Sequence, residues 1–129
     1  MPVRVVDASA LGALVFGEPK AEEMANALSM GTMVAPALLW FELASIALRK
    51  STIHPKQKEE ILNAFQLGRR LAIEVVEVDH SKVIELARKT DLTSYDASYL
   101  WLTLHFGGEL VTLDRKLMRA AVTLLTGGG

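Results

Sequence analysis

Short apolar segments alternate with longer segments along the whole chain. Four of the short segments are rich in apolar residues and lack a regular exchange of apolar and polar positions, which predicts strands buried on both faces. The predicted strands cover residues 3–6, 32–36, 73–78 and 109–113, with 122–125 as a candidate fifth strand.

The longer segments predict helices that connect these strands. They cover residues 8–16, 20–29, 37–50, 55–67 and 80–89, a helix that contains Asp96 and ends near His105, and a last helix from Asp114 to Ala121. Regular alternation of strands and helices is typical of a parallel sheet covered by helices on both faces. We therefore predict a three-layer α/β/α fold with a central parallel sheet of four to five strands.

The chain length of 129 residues predicts a single domain, and no repeat or Pro/Gly-rich linker divides the sequence. We expect this domain to cover residues 1–126 and the last three glycines, 127–129, to form a flexible tail. No signal peptide is visible, and no apolar run approaches the roughly 18 residues of a membrane span. We therefore expect no membrane partner.

Composition narrows the possible chemistry. The chain has no cysteine, which excludes disulfides, thiolate zinc sites and cysteine nucleophiles, and which fits the cytoplasm as the expected location. Its net charge is −1, so any binding of nucleic acid must depend on a local site. Half of the residues are hydrophobic and the mean hydropathy is +0.26. This hydrophobic composition is explained equally well by a rich core and by an apolar face that a partner, such as a second copy, covers.

Four acidic residues are expected at one edge of the sheet. Asp7 follows the first strand and Asp114 the fourth, and ligands bind at the carboxyl ends of parallel strands. Asp96 opens the helix that leads into the fourth strand, and this helix must begin at the same edge because it runs antiparallel to the strands. Glu42 lies near the start of the helix after the second strand. Its neighbours one turn away are apolar, so an unpaired carboxylate there is costly.

Each of these acids also has a purely structural interpretation. Asp7 and Asp114 are plausible N-caps of the helices that follow, Asp96 fits a Thr-x-x-Asp capping box, and Glu42 can reach Arg49 on its own helix. Taken singly, the capping interpretations are favoured. Four independent coincidences at one edge are less plausible, which favours a joint role.

A cluster of carboxylates requires protons or a cation. Two carboxylates 4 Å apart repel by roughly 4 kcal/mol at an effective dielectric constant of 20. A set of oxygen ligands without cysteine or spaced histidines suits Mg²⁺ or Mn²⁺ rather than zinc. Such ions activate water for in-line attack on phosphate esters. The acids therefore predict metal-dependent hydrolysis of phosphodiesters.

Four stretches resemble the PIN-domain family, especially the VapC-type toxins of bacterial and archaeal toxin–antitoxin pairs. They are VVDASAL (5–11), PALLWFELASIALRK (36–50), LTSYDASYLWLT (92–103) and LVTLDRKL (110–117). The resemblance implies a PIN-like fold and a Mg²⁺- or Mn²⁺-dependent endoribonuclease that cuts single-stranded or looped RNA. It also implies a homodimer and inhibition by a cognate antitoxin protein.

The resemblance also assigns roles to individual residues. It implies that Asp7, Asp96 and Asp114 are metal ligands and that Glu42 is a ligand or a nearby base. Ser9 and Thr112 stand where the family often has a small hydroxyl, which holds either a carboxylate or a metal-bound water; they are the remaining expected cofactor-binding residues.

The other conspicuous residues have simpler interpretations. Tyr95 is expected to pack. Four other aromatics in apolar helices are expected in the core or a dimer interface; they are Trp40, Phe41, Tyr99 and Trp101. Asp79 is expected to cap a helix and Asp91 to be a solvated loop acid. Arg115 and Lys116 either reach an RNA phosphate or are ordinary surface charges. A solvated face is favoured for Lys56, Lys58, Arg69 and Arg70.

Two other functions compete with the nuclease. One is a PIN-like module that binds RNA or protein without cutting, which the complete set of four acids disfavours. The other is a receiver-type phospho-acceptor. A receiver should have an acidic pair after the first strand, where this chain offers Asp7 alone, and it is ranked well below the others.

Overall fold

A parallel four-stranded sheet forms the centre of the fold, in a computed structural model that describes residues 2–126. The predicted glycine tail lies outside the described residues. The strands are β1 (Val3–Val6), β2 (Thr32–Ala35), β3 (Ile73–Val75) and β4 (Glu109–Val111), in the order β3-β2-β1-β4. The helices are α1 (Ala8–Val15), α2 (Ala21–Leu28), α3 (Leu38–Ile53), α4 (Lys58–Gly68), α5 (His80–Thr90), α6 (Ser94–Phe106) and α7 (Arg115–Leu125). The predicted α/β/α fold is confirmed.

The central strand β1 explains why the strands lack polar alternation. Val5 pairs with Val34 on one side and with Leu110 on the other. Val5 and Val6 are both completely buried, so their side chains, which point to opposite faces of the sheet, meet helices on each face. A strand in this position needs apolar residues at consecutive positions.

The strand order places the ends of β1 and β4 at the point where the order of connection reverses. The chain runs outward from β1 through β2 to β3, and then crosses to the other side of β1 to form β4. The backbone N–H of Asp7 donates to the carbonyl oxygen of Val111 at 3.2 Å, which keeps these two strand ends together. Open parallel sheets bind ligands in the crevice at such a reversal.

Three predicted strands are longer than the observed ones: β2 ends one residue early, at Ala35, and β3 and β4 are shortened further for a reason that lies in their neighbours. The prediction for β3 ended at residue 78, but β3 ends at Val75, and the last bond to β2 runs from the N–H of Val76 to the carbonyl of Ala35. β2 itself ends at Ala35, just before Pro36, so β3 has no strand to pair with beyond this point. β4 ends at Val111 rather than 113, because its partner β1 gives way to helix α1.

The candidate fifth strand at 122–125 is wrong. These residues continue α7 to Leu125, so the sheet has four strands within residues 2–126. Leu117 and Ala121 are buried and Leu124 packs against the core. Their spacing of four and three residues is that of one face of a helix. No helix in the described part of the chain is long and apolar enough to cross a membrane.

Candidate active site

Asp7 is the most deeply buried of the four acids, with an exposed fraction of 5%. It follows β1 and caps α1, because its Oδ1 accepts hydrogen bonds from the N–H of Ala10 at 3.0 Å and from the hydroxyl of Ser9 at 2.7 Å. The hydroxyl of Thr112 donates to Oδ2. Both oxygens of the carboxylate are therefore held, one by α1 and the other by the segment after β4.

Ser9 and Thr112 also connect the two strand ends to each other. The N–H of Leu113 donates to the hydroxyl of Ser9 at 2.9 Å, and the N–H of Asp114 donates to that of Thr112 at 3.0 Å. Of the two roles that the sequence left open for these hydroxyls, the structure shows contact with a carboxylate. The same contacts fix the backbone that carries Asp114.

Asp114 and Asp96 lie at the starts of their helices, as predicted. Oδ1 of Asp114 accepts a hydrogen bond from the N–H of Leu117 at 2.9 Å and so caps α7. At α6 the cap is Thr93, whose hydroxyl accepts from the N–H of Asp96 at 3.1 Å. Both acids are half-buried. The capping interpretation is therefore correct for Asp7 and Asp114, whereas at α6 the observed cap is Thr93 and the carboxylate of Asp96 takes no part in that bond. The second oxygen of Asp114 also lies outside its cap bond.

Glu42 is held by a residue that the sequence did not single out for the site. It is half-buried in the second turn of α3, and its Oε1 accepts a hydrogen bond of 2.6 Å from the hydroxyl of Tyr99 in α6. Tyr99 is almost fully buried and lies three residues after Asp96, on the same side of α6. That spacing is the sequence signal that places Tyr99 near the acids. The alternative in which Glu42 pairs with Arg49 is wrong.

No basic residue pairs with the four acids in residues 2–126. The ion pairs there join Arg4 to Glu109, Lys20 to Glu23, Lys50 to Glu18 and Lys116 to Asp91. The negative charge at this edge is therefore left without an ion-paired counter-charge from the described part of the protein.

Burial and mutual repulsion raise the pKa values of Asp7 and Asp96. For Asp7, burial raises the pKa most and the charge of Asp114 adds to it, while the hydrogen bonds from the two hydroxyls act in the opposite direction. For Asp96, burial again comes first, followed by the charges of Asp114 and Asp7, and Lys116 opposes them. These acids therefore share one electrostatic environment, although they come from three distant segments of the chain.

Glu42 belongs to the same environment. Burial raises its pKa most, the hydrogen bond from Tyr99 lowers it, and the charges of Asp96 and Asp7 raise it further. Burial, followed by the hydrogen bond to Glu42, also raises the pKa of Tyr99 above its ordinary value. Tyr99 consequently keeps its proton and acts as the donor.

The acids form an open group rather than a closed cage. No three Asp, Glu, His or Cys side chains in residues 2–126 are gathered closely enough to hold a metal ion by themselves. Mg²⁺ usually takes one or two carboxylates and completes its shell with water and substrate oxygens. Oxygen ligands that repel one another and lack a basic partner match this kind of ion in their chemistry.

Among the other residues with predicted roles, two aromatics are more exposed than expected and two acids lie where they were predicted. Tyr95 is 62% exposed at the start of α6, so its packing interpretation is wrong, and Phe41 is 76% exposed and cannot be a core residue. Asp79 caps α5 as expected, accepting a bond from the N–H of Lys82. Asp91 is exposed and ends α5 in a left-handed conformation.

Comparison with known proteins finds similarity in both sequence and structure. A family model described as the PIN domain matches residues 4–122. Ribonuclease VapC3 of Pyrobaculum aerophilum is 29% identical over 127 residues, which cover 95% of this chain and 97% of that protein. The crystal structure of PAE2754 from Pyrobaculum aerophilum has a similar fold, with a TM-score of 0.76 and 23% identity over 98% of this chain and 94% of that chain.

Proposed function

Because the chain belongs to the PIN-domain family, as its four motifs predicted, we propose that it is a metal-dependent endoribonuclease that hydrolyses RNA phosphodiester bonds. The observation that carries the proposal is the surroundings of Asp7. Its buried carboxylate is held by two hydroxyl groups and faces the charges of three further acids, with no ion-paired base in residues 2–126. A divalent cation is the partner that relieves such a group of charges.

We assign Asp7, Asp96 and Asp114 as ligands of Mg²⁺ or Mn²⁺, directly or through the waters that such an ion keeps, with Glu42 as a further ligand or the base beside them. A bound ion of this kind activates water as a nucleophile and stabilises charge on the leaving oxygen. The hydroxyls of Ser9 and Thr112 fix the orientation of the Asp7 carboxylate, which would hold the ion. They thus support the site through Asp7.

Glu42 is suited to accept a proton from the attacking water. Tyr99 holds Oε1, which leaves Oε2 for the proton. The raised pKa of Glu42 brings this carboxylate closer to neutral pH, where a general base is most effective.

The likeness to Ribonuclease VapC3 supports a more specific role, the toxin of a type II toxin–antitoxin pair in the cytoplasm. Such a role requires a cognate antitoxin protein as inhibitor, and we also propose a homodimer. Exposed apolar side chains on α3 and α5 support association with a protein partner; they are Phe41, Leu48, Ile53 and Ile84.

Cleavage of structured RNA by the purified protein tests this proposal. We expect cleavage with Mg²⁺ or Mn²⁺, and none with excess chelator or in Asp96→Asn. Asp79→Asn is the matched control, because it makes the same change at an exposed helix cap and asparagine caps equally well. Cleavage that persists in both the chelated and the Asp96→Asn samples would come from a contaminant. Metal binding without cleavage of any RNA would favour the non-cleaving module.

A further inference from the structure

A cleft of about 520 Å³ lies beside Asp114 and carries three basic side chains. Lys20 comes from the turn before α2, and Arg115 and Arg119 come from the first two turns of α7. Asp114 is the one acid among the residues that line this cleft, and Thr112 and Leu113 line it as well. We call it the basic cleft.

The basic side chains of the cleft are available to a ligand. Arg115 and Arg119 are exposed and one helical turn apart, so they share a face of α7 with Cβ atoms about 5–6 Å from each other. Neither forms an ion pair within residues 2–126. Lys20 pairs with Glu23 at 3.1 Å, but both side chains are largely exposed and such pairs are weak.

Two other clefts beside the site residues lack this combination of an acid and several cations. The cleft that contains Glu42 is also about 520 Å³, and its other lining residues carry no charge; they are Leu38, Phe41, Ser45 and Tyr95. A third cleft reaches Ser9 and includes Arg49 and Lys50, but no site acid lines it, and Lys50 is bound to Glu18 at 2.7 Å. Among these clefts, the basic cleft alone combines a site acid with several cations.

An RNA chain approaching the four acids is repelled by them, and the whole protein, with a net charge of −1, offers no long-range attraction. Local cations that neutralise phosphates are then needed to hold the chain. Guanidinium groups suit this purpose because they bind phosphate oxygens with two parallel hydrogen bonds. Grooves of this kind follow the backbone of single strands.

We infer that the basic cleft binds backbone phosphates of the RNA next to the phosphodiester bond held at the acids, an inference that rests on the proposed endoribonuclease function. Asp114 lies in the wall of the cleft and among the acids, so the two regions are contiguous. The RNA backbone therefore reaches the acids from the α7 side.

The salt dependence of RNA binding tests the inference. The parent protein carries Asp96→Asn, so that bound RNA stays intact, and the variant adds Arg115→Gln and Arg119→Gln. The dissociation constant of a fluorescent single-stranded RNA is measured by anisotropy, with Mg²⁺ present, between about 50 and about 200 mM salt. Each lost phosphate contact should reduce the slope of log K against log salt by about 0.7, and hence by about 1.4 for the pair.

A matched control separates the cleft from net charge. Lys56→Gln with Lys58→Gln removes the same charge from two exposed positions, one in the turn before α4 and one at its first residue, and neither lines any of the three clefts. Its slope should equal that of the parent, and the thermal unfolding midpoints of both double variants should be unchanged. Equal slopes in all three proteins, equal reductions in both double variants, or a parent that binds no RNA would each overturn the inference.

The experiments distinguish a failure of the proposed phosphate binding in the cleft from a failure of the proposed nuclease activity. Metal-dependent cleavage by the unmodified protein, combined with an unchanged slope in the arginine variant, would reject the cleft and leave the endoribonuclease in place. A reduced salt slope in the arginine variant, without metal-dependent cleavage by the unmodified protein, would instead support RNA binding at the cleft and reject hydrolysis.

Discussion

At the scale of single residues, the observed helix caps leave room for the ligand role that we propose for the acids. Asp7 and Asp114 cap helices with Oδ1, and this bond fixes the carboxylate at the edge of the sheet. The capping and ligand interpretations, which compete when the sequence is considered alone, are therefore compatible. A capped carboxylate also accepts hydrogen bonds without losing its charge, so it remains a good ligand.

Tyr99 provides the most specific prediction at this scale. Tyr99→Phe removes the hydroxyl that holds Glu42 and leaves the buried ring in place. We expect a loss of about 1–2 kcal/mol in the free energy of unfolding, because a hydrogen bond to a charged group is lost. We also expect a reduction of about 10–100-fold in metal affinity or cleavage rate, as is typical when the partner of a ligand is removed. Mn²⁺ titrations of cleavage and of fluorescence-monitored binding measure these effects.

Tyr95→Phe is the control for this prediction, because it makes the same change four residues earlier on an exposed ring. It should alter neither stability nor the response to metal. If Tyr99→Phe lowered stability but left metal affinity and rate unchanged, Tyr99 would be a core residue that contributes nothing to the site.

At the scale of secondary-structure elements, the packing of α1 and α4 keeps the first helix in place. A Cβ atom built on Gly68 in α4 would lie 2.7 Å from Cγ2 of Val15, at the end of α1 that is farther from Asp7. Val15 is branched at Cβ and cannot easily turn away. The absence of a side chain at Gly68 is therefore what allows this close approach.

Gly68→Ala should destabilise the protein by about 1–3 kcal/mol through this clash, although alanine is favoured over glycine in a helix by about 1 kcal/mol. In a Val15→Ala background the clash is absent, and the same change should be neutral or stabilising. Chemical denaturation of the wild type, both single variants and the double variant measures the coupling. Additive effects would show that the two helices do not meet at these atoms. Cleavage should persist, because Gly68 meets α1 at Val15, at the end of that helix that is farther from Asp7.

The elements also show where a short apolar pattern is ambiguous. Residues 122–125 are four apolar or β-branched positions, a run that fits a strand or a buried helix equally well. Only the buried positions upstream, Leu117 and Ala121, indicate that α7 continues. The excess length predicted for β3 has a different origin, because a strand can extend only as far as its partner, and β2 ends before Pro36.

At the scale of the whole molecule, the sequence predicted the layers of the fold and the edge at which the acids lie. Both follow from local signals. An acid that stands between an apolar strand and the next helix lies at the carboxyl end of that strand, and in a parallel sheet these ends share one edge. The contact between Tyr99 and Glu42 joins residues 57 positions apart, and the exposure of Tyr95 depends on which neighbours cover α6. Such features depend on tertiary packing, which no local pattern contains.

The net charge likewise does not show how charge is distributed over the whole molecule. A net charge of −1 conceals a separation between four acids at one edge of the sheet and the cations of the basic cleft beside them. In the proposed function, the acids attract the divalent cation and the neighbouring cations attract the RNA backbone, so one small surface serves both.

The central claim is that Asp7, Asp96 and Asp114, brought together from distant segments, hold a divalent cation with Glu42 beside it. Diffraction from crystals soaked in Mn²⁺, recorded at the manganese absorption edge, tests it most directly. The claim predicts an anomalous peak within ligand distance of at least two of these carboxylates, and its loss in Asp96→Asn crystals. A map without a peak at this edge of the sheet, or with a peak that Asp96→Asn leaves unchanged, would contradict it.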